Sequence, residues 1–345
     1  MTHPALSRFL APVAAVLVGL SLMPACGGSG DSTPTVRLGY FANVTHAPAL
    51  VGVVEGWFAE ELGDDATLRL LTFNAGPDAV TALFSESLDM TFIGPNPAIN
   101  AYAQSDGEAI RIIAGSTSGG AALVVRPGIA GPADLVGARI ATPQLGNTQD
   151  VALRAWLLEQ GLTADLEGGG DVSVIPQENA QTLETFRSGA IDGAWVPEPW
   201  ATRLVLEGGG VVFLDERDLW PQGEFVTTHL IVRTTFLEEH PDLVLAVLRA
   251  LVRSIDFIDA APDAAMVDVN TAIEQITTRA LPPETMAAAW DNLTFTVDPI
   301  ADSLYVSADH AVSVGLLQPV DLDDIYALDL LNQVLAELGR DPVQP

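Results

Sequence analysis

Leu83-Phe84-Ser85-Glu86-Ser87-Leu88-Asp89-Met90-Thr91-Phe92-Ile93-Gly94-Pro95-Asn96-Pro97 and Phe186-Arg187-Ser188-Gly189-Ala190-Ile191-Asp192-Gly193-Ala194-Trp195-Val196-Pro197-Glu198-Pro199-Trp200 are two versions of one phrase. Each closes a helix, turns through small residues, sets an Asp before a short apolar strand, and enters a proline-rich turn that opens another helix. The comparison sets Asp89 opposite Asp192, with Pro97 and Pro199 in corresponding turns. Proline suits the first turn of a helix, where its missing N–H has no intrahelical partner to lose. A helix–strand–helix phrase that occurs twice predicts two similar α/β lobes.

Working outward, strands are expected at 36–39, 68–73, 109–114, 121–125, 139–141, 172–175 and 211–213. Helices are expected between them at 47–55, 77–85, 148–160, 180–188 and 199–207, with Gly56 and Gly161 as left-handed stops. Such alternation implies mainly parallel sheets with right-handed crossovers. Two longer strands, 121–126 and 228–233, are expected to carry the chain out of the first lobe and back. Beyond them the pattern is helical, at 241–259, 264–277, 283–291 and 324–338. The expected organisation is residues 36–122 as the first part of lobe one, 123–229 as lobe two, and 230–345 as the return to lobe one with C-terminal helices.

Before residue 36 the reading is of another kind. Arg8 precedes an apolar run over 9–23 that ends in Leu22-Met23-Pro24-Ala25-Cys26. The run is too short for an ordinary spanning helix but suits a signal peptide, here 1–25. Ala25 before Cys26 resembles the lipobox of bacterial lipoproteins. Cys26 is the single cysteine, so no intramolecular disulfide is available and acylation of its sulfur is the expectation. Residues 26–35, rich in Gly and Ser, read as a flexible tether. The body is thus expected outside the cytoplasm, touching the membrane through its lipid anchor alone.

Composition narrows the function classes. All 15 basic residues are arginines, set against 45 acids, for a formal net charge of −30. Nucleic-acid binding depends on neutralising phosphates with basic side chains, so no nucleic-acid partner is expected. Asp321-Leu322-Asp323-Asp324 lacks the Gly and terminal Glu of a calcium loop and reads as a solvated face. No G-x-S-x-G elbow, H-E-x-x-H zinc helix, Cys–His pair or G-x-x-x-x-G-K phosphate loop is present. Neither a metal nor a cofactor is expected, and the chain reads as a binder rather than an enzyme.

Ligands of open α/β sheets collect beyond the carboxyl ends of strands, where helix N-termini converge. Four strand-to-helix turns carry polar groups: Tyr40-Phe41-Ala42-Asn43-Val44-Thr45-His46, Gly94-Pro95-Asn96-Pro97, Gln144-Leu145-Gly146-Asn147-Thr148-Gln149-Asp150, and Val196-Pro197-Glu198-Pro199-Trp200. Gly115-Ser116-Thr117-Ser118-Gly119-Gly120 reads as a hydroxyl-rich loop beside the crossover. Candidate ligand contacts from these segments are Phe41, Asn43, His46, Pro95, Asn96, Ser116, Thr117, Asn147, Thr148, Gln149 and Glu198. Asn147 can cap the helix that follows, leaving N–H donors and the positive dipole end for an anion. Glu198 reads either as a partner for a ligand cation or as a carboxylate favoured by the helix dipole. His229, in an apolar strand, reads as a core or hinge residue.

The runs Val53-Val54-Glu55-Gly56-Trp57-Phe58-Ala59-Glu60-Glu61-Leu62-Gly63, Phe73-Asn74-Ala75-Gly76-Pro77, Ser87-Leu88-Asp89-Met90 and Gly146-Asn147-Thr148-Gln149-Asp150 occur in that order. Gly189-Ala190-Ile191-Asp192 with Trp195, and Thr227-Thr228, follow them. Over about 36–259 this order resembles the solute receptors of nitrate, sulfonate and taurine ABC importers. The resemblance implies a two-lobed type II periplasmic-binding-protein fold that closes on its ligand, with ABC permease subunits as partners. It adds Trp195 and Thr227 to the candidate contacts and places a sulfonate near the helix start at Asn147 and Thr148. The implied ligand is an aliphatic sulfonate or taurine. A thiamine-related pyrimidine, nitrate or bicarbonate, and ligand sensing without transport stay open beside it.

Overall fold

The computed structural model describes Thr33–Pro345; the expected leader, Cys26 and the tether up to residue 32 lie outside the described residues. The chain opens with β1 (Thr35–Phe41), α1 (Ala47–Val54), α2 (Trp57–Leu62), β2 (Thr67–Phe73), α3 (Gly76–Phe84), β3 (Met90–Ile93), α4 (Pro95–Gln104) and β4 (Ile110–Gly119). In β1, Val36, Leu38 and Tyr40 point into one core while Phe41 joins the core on the other face, the period-two alternation of a strand covered on both sides. The chain then builds a second sheet: β5 (Ala121–Val125), β6 (Arg139–Thr142), α5 (Thr148–Glu159), β7 (Ser173–Pro176), α6 (Asn179–Ser188), β8 (Gly193–Pro197), α7 (Trp200–Leu206) and β9 (Val211–Asp215). It returns on β10 (Val226–Arg233). The remaining elements are α8 (Thr234–Glu239), α9 (Pro241–Ala260), α10 (Pro262–Thr277), α11 (Pro283–Trp290), β11 (Leu293–Phe295), α12 (Ala301–Ser313) and α13 (Asp329–Glu337). Among the described residues no helix is long and apolar enough to cross a membrane.

Strand order is β2-β1-β3-β10-β4-β11 in the first sheet and β7-β6-β8-β5-β9 in the second. The first five strands of one correspond in order and direction to the five of the other. β1 lies parallel to β2 and β3, as β6 does to β7 and β8. The fourth strand of each series, β10 or β5, runs antiparallel to both its neighbours. The sheets are therefore mixed rather than mainly parallel. In each, the antiparallel member comes from outside the lobe's own βαβ series.

The repeated Asp is the reason the phrase recurs. Asp89 accepts the backbone N–H of Arg37 at 2.9 Å, and its own N–H donates to the Arg37 carbonyl at 3.0 Å. Asp192 makes the same pair with Arg139, both at 2.8 Å. The carbonyls of Asp89 and Asp192 accept the N–H of Arg233 and Arg126 respectively, each at 2.9 Å. One residue thus ties together three strand ends in each lobe. In the first lobe its carboxylate is fully buried and also ion-pairs with the guanidinium groups of Arg37 and Arg233.

Two cores flank the first sheet. Beneath it lie α1, α2, α9, α10 and α13, and α9 supplies the longest apolar stripe, Leu243, Val244, Val247, Leu248, Leu251 and Ile255, at helical spacing. Above it lie α3, α4 and α12. The second sheet has α5 on one face, through Leu153, Trp156 and Leu157, and α6 with α7 on the other.

Several segments depart from the expected pattern, the helices Trp57–Leu62 and Ala301–Ser313 among them. Residues 115–119 are not a loop but the second half of β4, paired with β10 on one side and β11 on the other. Residues 325–327 are not helical: the Ile112 N–H donates to the Ile325 carbonyl and the Ala327 N–H to the Ile112 carbonyl, so this piece runs beside β4. The last helix begins only at Asp329.

Candidate ligand-binding site

A narrow pocket lies between the sheets, with about 350 Å³ of atom-free space, part of it open to solvent. Its walls come from the carboxyl ends of strands and the turns that follow them. Phe41 ends β1 and Asn43, Thr45 and His46 follow it, Asn74 and Ala75 follow β2, and Gly94 follows β3. From the second sheet come Pro143, Asn147, Thr148 and Gln149 after β6, Asn179 after β7 and Pro197 at the end of β8. Thr227 and Thr228 of β10 close the back.

These positions are helix starts. His46, Ala75, Gly94 and Asn147 stand at the N-caps of α1, α3, α4 and α5, and Asn179 is the first residue of α6. Five N-termini of helices eight to twelve residues long therefore converge on one pocket. Each carries roughly half a positive charge and unsatisfied N–H groups. Among the described residues no Arg, Asp or Glu lines the pocket. Its positive potential comes from backbone dipoles, which need no counter-ion.

The turn before α5 is built around Asp150, which is fully buried. One of its oxygens accepts Thr142 Oγ1 at 2.8 Å, and the other accepts the Gly146 N–H at 3.0 Å and Arg154 Nε at 3.1 Å. Gly146 takes φ +74°, a conformation that a side chain strains. Asn147 sits in the cap position, yet its side chain makes no capping bond; its amide donates to Gln149 Oε1 at 2.9 Å. The Asp150 N–H donates to the Asn147 carbonyl at 3.0 Å, which leaves the N–H groups of Thr148 and Gln149 without a backbone acceptor. Thr148 is 5% exposed and Asn179 8%, and among the described residues Thr148 Oγ1 and Asn179 Oδ1 have no hydrogen-bond partner. Native proteins rarely leave buried polar atoms unpaired unless a ligand or water completes them.

His46 packs against Phe41 with ring centroids 4.4 Å apart and the planes tilted by 31°, and its Nδ1 accepts the Phe41 N–H at 3.4 Å. The ring proton of that tautomer is on Nε2. Burial pushes the imidazole down to about 3, so it is a neutral donor at ordinary pH. Thr228 Oγ1 donates to the Thr45 carbonyl at 3.0 Å and fixes the turn after β1.

The sheets also touch directly around the pocket. Trp200 Nε1 donates to Asn43 Oδ1 at 2.9 Å, Asn74 Nδ2 to Glu178 Oε1 at 3.1 Å, and Gln144 Nε2 to Asp78 Oδ1 at 3.3 Å. A β-carbon added to Gly94 would stand 2.3 Å from Thr148 Oγ1. Only glycine allows this approach.

Of the expected contacts, Phe41, Asn43, His46, Asn147, Thr148, Gln149 and Thr227 line the pocket. Six others lie elsewhere. Trp195 is fully buried in the second lobe's core, its indole N–H on Glu216 at 2.7 Å, because its strand position faces α5 rather than the cleft. Glu198 is buried on the far side of its turn, where it accepts the Thr202 N–H, the Thr202 hydroxyl and the Asn292 amide at 2.8–3.1 Å. It does not line the pocket between the sheets, and desolvation raises its pKa. Asn96 donates to the Ser307 carbonyl at 3.0 Å, which turns it toward α12, and Pro95 is buried at the start of α4 outside the pocket lining. Ser116 and Thr117 belong to the paired interior of β4. Asn74 and Asn179 were not among the expected contacts. Asn179 stands in Pro176-Gln177-Glu178-Asn179-Ala180, a polar strand-to-helix turn of the same kind as the four quoted above.

The model of the NMT1-like family matches residues 29–274, more than half of the chain. The taurine-binding periplasmic protein of Escherichia coli (strain K12) is 30% identical over 217 residues, 63% of this chain and 64% of that protein; the match thus spans less than two thirds of that relative. Among solved structures, the alkanesulfonate-binding protein SsuA from Xanthomonas axonopodis pv. citri, bound to MOPS, superposes with a TM-score of 0.69 at 18% identity, over 83% of this chain and 94% of that one. The periplasmic nitrate-binding protein NrtA from Synechocystis PCC 6803 gives 0.75 at 17% identity, covering 89% of each chain. At these identities the two structures speak for the fold, which is the two-lobed periplasmic-binding-protein fold.

Proposed function

The chain belongs to the NMT1-like family, and from that membership and the geometry of its cleft we propose that it is an extracytoplasmic solute receptor for a small organic anion. It takes an aliphatic sulfonate, taurine included, and delivers it to the permease subunits of an ABC importer. One observation carries this reading: five helix N-termini meet at an uncharged pocket in which the buried Thr148 hydroxyl is unpartnered. A sulfonate has three oxygens to accept such donors and keeps its charge at every physiological pH.

The formal charge of −30 does not oppose the site. Salt screens charges beyond about 8 Å, whereas the pocket donors act at hydrogen-bond distance. Cys26, acylated, would tether the body to the membrane.

Calorimetry with taurine, ethanesulfonate, nitrate, bicarbonate and an aminopyrimidine tests the proposal, with mass spectrometry of the ligand recovered afterwards. Tightest binding of a sulfonate, recovered chemically unchanged, is the expected outcome. Tightest binding of the neutral pyrimidine would overturn it, and so would turnover of any member of the panel.

A further inference from the structure

Glu198 is the polar group of its turn that the pocket leaves unused. Its carboxylate, 2% exposed, reaches behind the cleft to the first lobe, where Asn292, just past the end of α11, donates to Oε1 at 2.8 Å. The Thr202 N–H and hydroxyl fix the same carboxylate within the second lobe. Asn292 Oδ1 in turn accepts Arg217 Nη2 at 3.2 Å, and Arg217 is itself held by both oxygens of Asp215. A carboxylate can only accept and a guanidinium can only donate, so the amide has one orientation here. One first-lobe side chain thus joins two second-lobe groups of opposite charge.

Asn292 stands where the chain crosses between the lobes. The first crossing, Gly119-Gly120 between β4 and β5, takes φ +77° and +72°; β-carbons there would stand 2.8 Å from the Asn292 carbonyl oxygen and 2.1 Å from Leu293 Cδ2. The second crossing, between β9 and β10, carries Arg217. Rotation of the lobes about these crossings moves Asn292 away from Glu198 and Arg217, and hydrogen bonds are lost beyond about 3.5 Å. Apolar packing does not fill the space beside them: a cavity with about 580 Å³ of atom-free space, part of it open to solvent, lies between Ala121, Ala201, Val205 and Ala288. The turn that carries Glu198 is also held from the cleft side, through Trp200 on Asn43.

We propose that Glu198 and Asn292 are positioning residues that hold the lobes at the angle at which the pocket is assembled, with Arg217 as the second anchor of Asn292. Neither touches the ligand. None of these bonds passes through the pocket, so they act in the free protein as well as in the complex. They raise affinity by keeping the binding-competent arrangement populated. The inference rests on the sulfonate reading only for the choice of probe.

Asn292→Asp tests this, because it removes the donor and sets a second carboxylate against Glu198. Opening the lobes lets water separate the two charges. At pH 8, ethanesulfonate affinity measured by calorimetry should fall at least about tenfold, and small-angle scattering without ligand should show a larger radius of gyration. Adding Glu198→Gln restores one amide facing one carboxylate, with the new Asp still beside Arg217. The double variant should return to within about threefold of wild-type affinity and to the wild-type radius. Should Asn292→Asp not fold, Asn292→Ala removes the donor without adding charge and should weaken binding at least about threefold. Unchanged affinity and radius in a folded single variant would overturn the proposal, and so would a double variant no better than Asn292→Asp alone. If ethanesulfonate does not bind the wild type, the sulfonate reading falls, and the scattering comparison, which uses no ligand, decides the role of Glu198 and Asn292.

Discussion

Thr148→Val separates the roles of binding and folding in one substitution. Thr148 is the first residue of α5, 5% exposed, with a hydroxyl that has no partner among the described residues. Valine keeps the branched shape and the restricted χ1 of threonine, so the packing against Gly94 is retained. Replacing an unpartnered buried hydroxyl by a methyl is neutral or stabilising, and the helix-propensity difference is a few tenths of a kcal/mol. Stability should therefore change by less than about 1 kcal/mol. A hydrogen bond from a neutral hydroxyl to a charged sulfonate, by contrast, is worth about 1.5–3 kcal/mol. Its loss weakens binding by roughly 10- to 150-fold. Urea denaturation without ligand and calorimetry with ethanesulfonate measure the two quantities on the same preparation. Affinity within twofold of wild type would refute the reasoning, and so would a stability loss as large as the binding loss.

Three further substitutions probe other parts of the account. Gly94→Ala places a β-carbon 2.3 Å from Thr148 Oγ1 across the cleft; it should oppose closure, weaken sulfonate binding at least about tenfold, and be partly rescued by Thr148→Ala. Arg154→Ala leaves Asp150 buried without its ion-pair partner and should cost about 3–5 kcal/mol in denaturation, since both side chains of the pair are almost fully enclosed. Glu216 is fully enclosed, and burial pushes its carboxyl from 4.5 up to about 7. The native protein then holds a proton that the unfolded chain has released, so stability falls as pH rises from about 4.5 to about 7, by up to roughly 3 kcal/mol. Glu216→Gln should raise the melting temperature at pH 8 and match wild type near pH 4; an equal gain at both would contradict this.

The fold was legible wherever local pattern and tertiary need agree. Asp89 and Asp192 announced the two lobes because each must tie three strand ends, a requirement visible as a repeated phrase. The pocket was legible in part because strand-to-helix turns are where open α/β sheets gather ligands. That rule found Asn43, His46, Asn147 and Thr148, but not Asn179, whose turn is chemically the same. What escaped depends on partners remote in sequence. Gly115-Ser116-Thr117-Ser118-Gly119 has the composition of a loop, yet pairing with β10 and β11 holds it as a strand. A β-carbon at Gly115 would stand 2.0 Å from the Asp298 carbonyl oxygen, so its glycine answers to a contact across the fold rather than to a turn. The side on which Glu198 and Trp195 fall is decided by Asn292 and Glu216, which no local spacing reveals.

The central claim is that backbone dipoles and neutral donors at converging helix starts hold an anion between the lobes. Propanesulfonate and methyl propyl sulfone share nearly the same shape and differ in charge. Calorimetry of both ligands, on the same protein and in the same buffer, isolates that difference. The account predicts that the sulfonate binds at least about a hundredfold tighter than the sulfone, as two or more charge-assisted hydrogen bonds require. Equal affinity for the two, or preference for the neutral sulfone, would contradict it.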